Sequence, residues 1–180
     1  MLYVPSKDSD TLLELWYHRL CISGDLEQLY LIDQRHLSWF LRSFQRPVEL
    51  VVLCDETPEI IAALWFDPSP LVGAWCGLWV SRDYRRSRRV LEFLLSTYAV
   101  ALEHWPILYG LTKQESLLEP HRRLGYTIGP EIPSAFDGHK GWLVTLTKAD
   151  FERSRSYGLY QRHQSKLCLQ RPHGLEFAAL

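Results

Sequence analysis

Cysteine is scarce and scattered: Cys21, Cys54, Cys76 and Cys168 form no Cys-x-x-Cys pair. This argues against a zinc ribbon and a disulfide framework and favours a reduced, cytoplasmic chain. No His-x-x-x-His or histidine–carboxylate cluster accompanies them, so no metal is expected. Long apolar runs are missing too, and the opening MLYVPSKDSD lacks a basic start followed by an apolar stretch. Neither a membrane span nor a secretion signal is therefore expected. Charge of one sign is absent, with 20 Lys and Arg against 21 Asp and Glu. That balance argues against a protein that coats nucleic acid, although a local basic patch stays compatible with phosphate binding. Glycine, finally, is lacking from the stretch VSRDYRRSRRV at Val80–Val90, where a strand turns into a helix.

What remains is ample for one packed domain: 180 residues, 47% hydrophobic and 13% aromatic, which excludes disorder throughout. LYVPS predicts a first strand, and Asp10 or Thr11 is placed to cap a helix carrying Leu12, Leu15, Trp16 and Leu20 at helical spacing. A second helix is expected in DQRHLSWFLRSF, ending before Pro47. In VELVVLCDETPEIIAALWF two apolar runs flank acidic and proline residues, the pattern of an antiparallel hairpin. AWCGLWV reads as a strand, followed by a helix with Leu91, Leu94, Leu95, Tyr98 and Leu102 along one face. PILYGLT, a short helix in ESLLEPHRRLG stopped at Gly125, and GWLVTLT complete the pattern, with a further edge strand over Tyr126–Ile128. The order is β-α-α-β-β-β-α-β-α-β. A strand–helix–strand unit implies a parallel pair and the hairpin an antiparallel one, so the expected class is α/β with a mixed sheet flanked by helices. The boundary is drawn at 152/153. Residues 153–180 hold five Lys or Arg against one Glu and read as a basic extension that packs on the domain or docks a protein partner.

Strand end, hydrogen-bonding turn and helix start in Val80–Leu95 make an anion site plausible on physical grounds. Arg85, Arg86, Arg88 and Arg89 oppose the helix dipole there, an arrangement an anion would relieve. The competing reading is a solvated start of a surface helix. Element order and this stretch together resemble the GNAT superfamily of N-acetyltransferases. In that family a strand ending in Val leads to a loop of the form Arg/Gln-x-x-Gly-x-Gly/Ala and then a helix. Val80, Tyr84 and Arg85 fall in the expected places, while the two glycine positions fall on Arg88 and Val90. Downstream, Gln114 stands where relatives have Asn, and Leu117 and PHRRLGY, from Pro120 to Tyr126, keep the Gly-aromatic ending with His121 at the family's tyrosine position. The resemblance covers residues 1–150.

The resemblance implies acetyl-CoA as co-substrate, with its pyrophosphate at Arg85, Arg86, Ser87, Arg88, Arg89 and Val90, its thioester along the backbone of Leu78, Trp79 and Val80, and Gln114 beside it. It implies His121 as the acid for the departing thiolate, a role compatible with an ordinary histidine pKa near 6.5. The rival reading has His121 satisfying a backbone carbonyl. No general base is assigned, because AWCGLWV carries no carboxylate, and Glu56, Glu59 and Asp67 read as solvated hairpin residues. Trp75 and Trp79, with Trp65 and Trp142, read as core or as an aromatic wall for an acceptor.

The implied function is transfer of acetyl from acetyl-CoA to a primary amine of a small molecule or protein in the cytoplasm. The alternative is a noncatalytic GNAT-fold assembly protein, for instance in a phage virion. It draws on the glycine-free loop, the strand without a carboxylate and the basic tail, and RRSRRV resembles the loop of phage-encoded relatives. A third reading, acetylation of aminoacyl-tRNA, is disfavoured by the near-neutral charge, so nucleic acid is not an expected partner. A homo-oligomer fits either main reading.

Overall fold

The computed structural model describes residues 2–4, 10–26, 36–43, 48–54, 59–69, 72–136 and 138–164. Glu56, Cys168 and residues 165–180 of the basic extension lie outside the described residues. The described chain groups into two compact units: one runs through Pro68 and takes up again at Gly77–Leu91, the other comprises Ser69–Cys76 and residues 92–164.

In the first unit β1 (Leu2–Val4), β2 (Glu49–Cys54), β3 (Ile60–Pro68) and the end of β4 (Ala74–Val80) lie in that order. β1 pairs antiparallel with β2, as Tyr3 faces Val51, and β2 with β3, as Val51 faces Leu64. The expected hairpin is thus present. Leu50–Leu53 and Ile60–Phe66 are buried on both faces, which explains their unbroken apolar runs. Helices α1 (Asp10–Ser23) and α2 (Leu37–Ser43) supply the packing. Asp10 is the first residue of α1 rather than a residue preceding it.

The apolar stripe of α1 is Leu13, Trp16 and Leu20, at helical spacing and each at most 1% exposed. The expectation that Leu15 joins it is corrected: Leu15 sits off that stripe and is 56% exposed. Trp16 packs its ring against Phe40 at 5.4 Å, Trp79 at 5.9 Å and Trp65 at 6.3 Å between centroids. Each large side chain buried this fully stabilises by about 1.5–3 kcal/mol. Trp65 and Trp79 therefore belong to the core, and the aromatic wall considered for them does not form there.

In the second unit the order is β4, β5 (Ile107–Thr112), β7 (His139–Thr147), β6 (Thr127–Phe136). Ala74 pairs with Leu108 and Trp75 with Tyr109 in a parallel ladder, whereas β5–β7 and β6–β7 are antiparallel, so the sheet is mixed as expected. Helix α3 (Arg88–His104) buries Val90, Phe93, Leu94, Leu95, Tyr98, Ala101 and Leu102, while Leu91, expected on that face, is 43% exposed because it stands at the margin of the stripe, one residue round the helix from Val90. A 3-10 turn at Glu115–Leu117 runs into α4 (Leu118–Arg123). Pro120 is tolerated there because it falls in the first turn, where an N–H has no intrahelical acceptor to lose. No helix of the described residues is long and apolar enough to cross a membrane.

Where regularity fades in the sequence, the chain forms α5 (Lys148–Arg153) and α6 (Arg155–Gln164). The boundary drawn at 152/153 falls inside α5. Tyr157 packs on Phe151 at 4.8 Å, Tyr160 is buried, and Ser156 Oγ donates to Arg123 O at 2.8 Å. α5 is capped by Thr147, whose Oγ1 accepts from the Asp150 N–H at 3.2 Å and donates to Asp150 Oδ2 at 2.7 Å. That hydrogen bond, with Arg153 beside it, holds the Asp150 carboxyl below its ordinary range. Thr147→Ala is expected to cost about 1 kcal/mol, read as a lower denaturant midpoint at unchanged m-value. A midpoint equal to wild type would remove the cap from the account.

Candidate functional site

The turn that follows β4 has no glycine, and its residues from Ser81, at φ −54°, ψ 139°, to Arg85 do not require one. Residues Arg82–Tyr84 form a 3-10 turn, Arg85 continues at φ −59°, ψ −21°, and every residue type reaches these angles. Tyr84 N–H donates to Ser81 O at 2.9 Å and Ser87 N–H to Tyr84 O at 2.9 Å. Leu91 N–H donates to Ser87 O at 3.2 Å, the first bond of α3. The N–H groups of α3 that point out of the helix end are thus those of Arg88–Val90.

The root of the turn is fastened on several sides. Ser81, 5% exposed, donates its N–H to Ile61 O at 2.9 Å and accepts at Oγ from Arg19 Nη2 at 3.3 Å. Arg19 also forms an ion pair with Glu59, so that carboxylate, expected to be merely solvated, has a partner. Arg82 Nε donates to Asp25 Oδ1 at 3.3 Å, and Arg85 Nη2 lies 3.9 Å from the same oxygen while its Nε donates to Val80 O at 3.3 Å. Arg89 Nη2 donates to Cys54 O at 2.7 Å. Arg86 and Arg88 are exposed, Val90 is buried, and on β4 Leu78 is 42% exposed against 3% for Trp79.

Asp25, only 1% exposed, was not singled out by sequence reasoning. The local signal exists in Ser-Gly-Asp after α1. Gly24 adopts φ +69°, and paired bonds from Asp25 N–H to Leu20 O (3.1 Å) and Gly24 N–H to Cys21 O (3.4 Å) make a Schellman stop. That stop turns Asp25 inward. Its arginine partners stand 57 and 60 positions away, beyond any local pattern.

His121, Gln114, Tyr98, Tyr126 and Cys76 belong to the second unit, and the arginine turn belongs to the first. Gln114 is exposed and opens the 3-10 turn, its O accepting from Leu117 N–H at 2.9 Å. His121 is half-buried on α4, its Nδ1 2.6 Å from Leu117 O and its ring edge-on to Tyr126 at 5.0 Å. A carbonyl can only accept, so Nδ1 carries the proton and Nε2 is the ring's basic nitrogen. Burial lowers the His121 pKa from its ordinary value, and the bond to Leu117 opposes this in part. The carbonyl contact considered from the sequence is therefore made, and it fixes the tautomer.

Beside it, burial raises the Tyr126 and Tyr98 hydroxyls well above their usual range and pushes the Cys76 thiol up to about 12. Tyr98 stands edge-on to Tyr126 at 6.0 Å between ring centroids, and with Cys76 the two tyrosines form a buried neutral group. Trp75 packs against Tyr109 at 5.6 Å between centroids with the rings tilted by 42°, and Lys140 Nζ lies 5.0 Å above the Trp142 ring.

No family model matches the sequence, and no curated protein matches it. Solved structures do. The chain is similar to spermidine N-acetyltransferase from Vibrio cholerae in complex with CoA and spermine, with 6% identity, TM-score 0.63, and 77% of this chain and 92% of that chain covered. It is similar to Mycobacterium smegmatis RimJ in complex with CoA-disulfide at 15% identity and TM-score 0.56, covering 88% and 86%. A third likeness is to AAC(6')-Ib in complex with ribostamycin and coenzyme A, at 11% identity and TM-score 0.59, covering 86% and 96%. The chain thus has the fold of these acetyltransferases.

Proposed function

We propose that this protein transfers an acetyl group from acetyl-CoA to a primary amine of a small molecule or protein. The observation that carries the reading is the strand–turn–helix from Leu78 to Val90, which ends β4 in a basic turn and the start of a 17-residue helix. It lies on a fold shared with acetyltransferases that hold CoA. The spermine and ribostamycin held by two of those proteins support an amine as the acceptor class.

The residues of the turn suit a pyrophosphate. The N–H groups that open α3 and the dipole behind them favour negative charge, and the exposed Arg86 and Arg88 add charge-assisted donors. Acetyl-CoA would supply a thioester carbonyl whose C–S bond breaks as the C–N bond forms. Backbone groups of Leu78–Val80 are assigned to orient that carbonyl, with Gln114 at the cofactor's flank. For the proton released by the amine, His121 offers Nε2. Its only proton is bound to Leu117 O, so it enters as an acceptor and would give a proton to the leaving thiolate only after taking one up. The neutral Tyr98–Tyr126–Cys76 group supports it without competing for charge.

Thermal unfolding with CoA, acetyl-CoA and ATP at matched ionic strength tests the cofactor assignment. A ligand at 100 times its dissociation constant adds about 2.7 kcal/mol. A rise with CoA and acetyl-CoA, not matched by ATP and lost in Arg86→Ala/Arg88→Ala, is the expected result. No rise at millimolar CoA would sink it and favour the noncatalytic assembly reading.

A further inference from the structure

The roles above leave one buried charge unused. Asp25 is enclosed to 1% exposure at the end of α1, and its carboxylate meets Arg82 Nε at 3.3 Å and Arg85 Nη2 at 3.9 Å. A carboxylate out of water is costly unless paired, and removing its partners leaves an uncompensated charge, so the contact binds two positions of the turn firmly. We propose that Asp25 is a positioning residue for the phosphate turn: by holding Arg82 and Arg85 it fixes the backbone from Ser81 to Ser87, leaving anion binding to the N–H groups of α3 and to Arg86 and Arg88. The proposal rests on the cofactor reading above.

Three features carry it. The turn has no glycine, so its path is set by side chains rather than by backbone freedom, and Arg82, Arg85 and Arg19 each run from it or to it as a tether. Arg85 also donates to Val80 O, so its guanidinium, although the side chain is 46% exposed, spans the end of β4 and the end of α1. It is therefore placed as a strut rather than as the phosphate reader that the loop pattern implies. The charge count stays favourable as well. Asp25 and Asp83 together balance Arg82 and Arg85, and Arg86, Arg88 and Arg89 then leave the turn positive, so Asp25 steadies the loop without cancelling its attraction for an anion.

The test uses the full chain with Asp25→Asn, Arg82→Gln and the double variant, measuring CoA affinity by calorimetry and hydrogen exchange of the amides from Ser81 to Val90 without ligand. Each single change is expected to weaken CoA about tenfold, and the double change also about tenfold rather than about a hundredfold, since both break the same tether. Exchange over Ser81–Val90 should quicken in all three. Thr147→Ala, which loosens α5 instead, should keep wild-type affinity, separating positioning from general loss of stability. Singles that bind CoA like wild type, or effects that multiply in the double, would overturn the proposal. Arg82 is 62% exposed at its side chain, so its variant stays informative where Asp25→Asn fails to fold. A wild-type protein that binds no CoA would defeat the cofactor reading instead. In that case exchange decides whether Asp25 holds the turn, and unchanged exchange overturns it.

Discussion

Gly125→Ala is expected to destabilise the second unit by about 2–5 kcal/mol. Two independent costs combine. Gly125 holds φ +97°, and a left-handed conformation costs an L-residue about 1–2 kcal/mol. The new Cβ would also lie 2.5 Å from Asp150 O, 2.9 Å from Asp150 C and 3.2 Å from Phe151 Cα. These are backbone atoms of α5 that cannot rotate away, so an overpacking cost of about 1–3 kcal/mol follows. In a chain of this length each kcal/mol lowers the melting temperature by roughly 2–4 °C. Gly138→Ala is the control, since Gly138 has φ +86° but nothing within 4 Å of its added Cβ. It should show the conformational cost alone. Gly158→Ala, in α6 with open space around it, should be neutral or stabilising by up to about 1 kcal/mol. Equal losses at Gly125 and Gly138 would show that contact with Asp150 contributes nothing.

Gly125 also shows how a helix stop can serve a site. Tyr126 N–H donates to His121 O at 3.0 Å and Gly125 N–H to Arg122 O at 3.0 Å, the same Schellman pairing that ends α1 at Gly24. In both places the residue after the glycine is turned inward and becomes the buried member of a cluster: Asp25 beneath the arginine turn, Tyr126 beside His121. The sequence marks both stops, as Ser-Gly-Asp and Leu-Gly-Tyr, but a stop says only that the next side chain leaves the helix. Where it goes depends on partners far along the chain.

That division runs through the whole molecule. Long apolar runs and their punctuation made β2, β3, β4, α3 and β7 legible, since period and turn residues act locally. β6 was read as three residues and extends over Thr127–Phe136, because Pro130 and Pro133 interrupt the strand pattern and are tolerated only where a strand lies at an edge or bulge. Its register against β7 does shift between Ile128 and Glu131 and between Ile132 and Phe136. Leu15 and Leu91 were misplaced because helical spacing defines a face only to within the width of the stripe. The basic run was legible as charge, but not the use each arginine has: Arg82 and Arg85 hold Asp25, and Arg89 holds Cys54 O.

His121→Gln carries the largest expected effect on rate. If Nε2 takes the proton released by the attacking amine, its loss should lower kcat by about 100-fold or more with little change in affinity for acetyl-CoA, as removal of a positioned base does. The pH dependence separates this role from that of an acid. Burial lowers the His121 pKa in the fold, so the neutral ring predominates at pH 7 and the rate of the wild-type protein should be flat there, falling only on the acid side of about 6.5. That limb should vanish in His121→Gln. The same shift acts on stability with a definite sign: below about 6.5 the unfolded chain takes up the proton more readily than the folded one, so this contribution is present above that pH and is lost as pH falls through the folded value. A wild-type rate that instead drops as pH rises through 6 would require the protonated ring. It would return His121 to the role of thiolate acid and leave the amine's proton to a route through water.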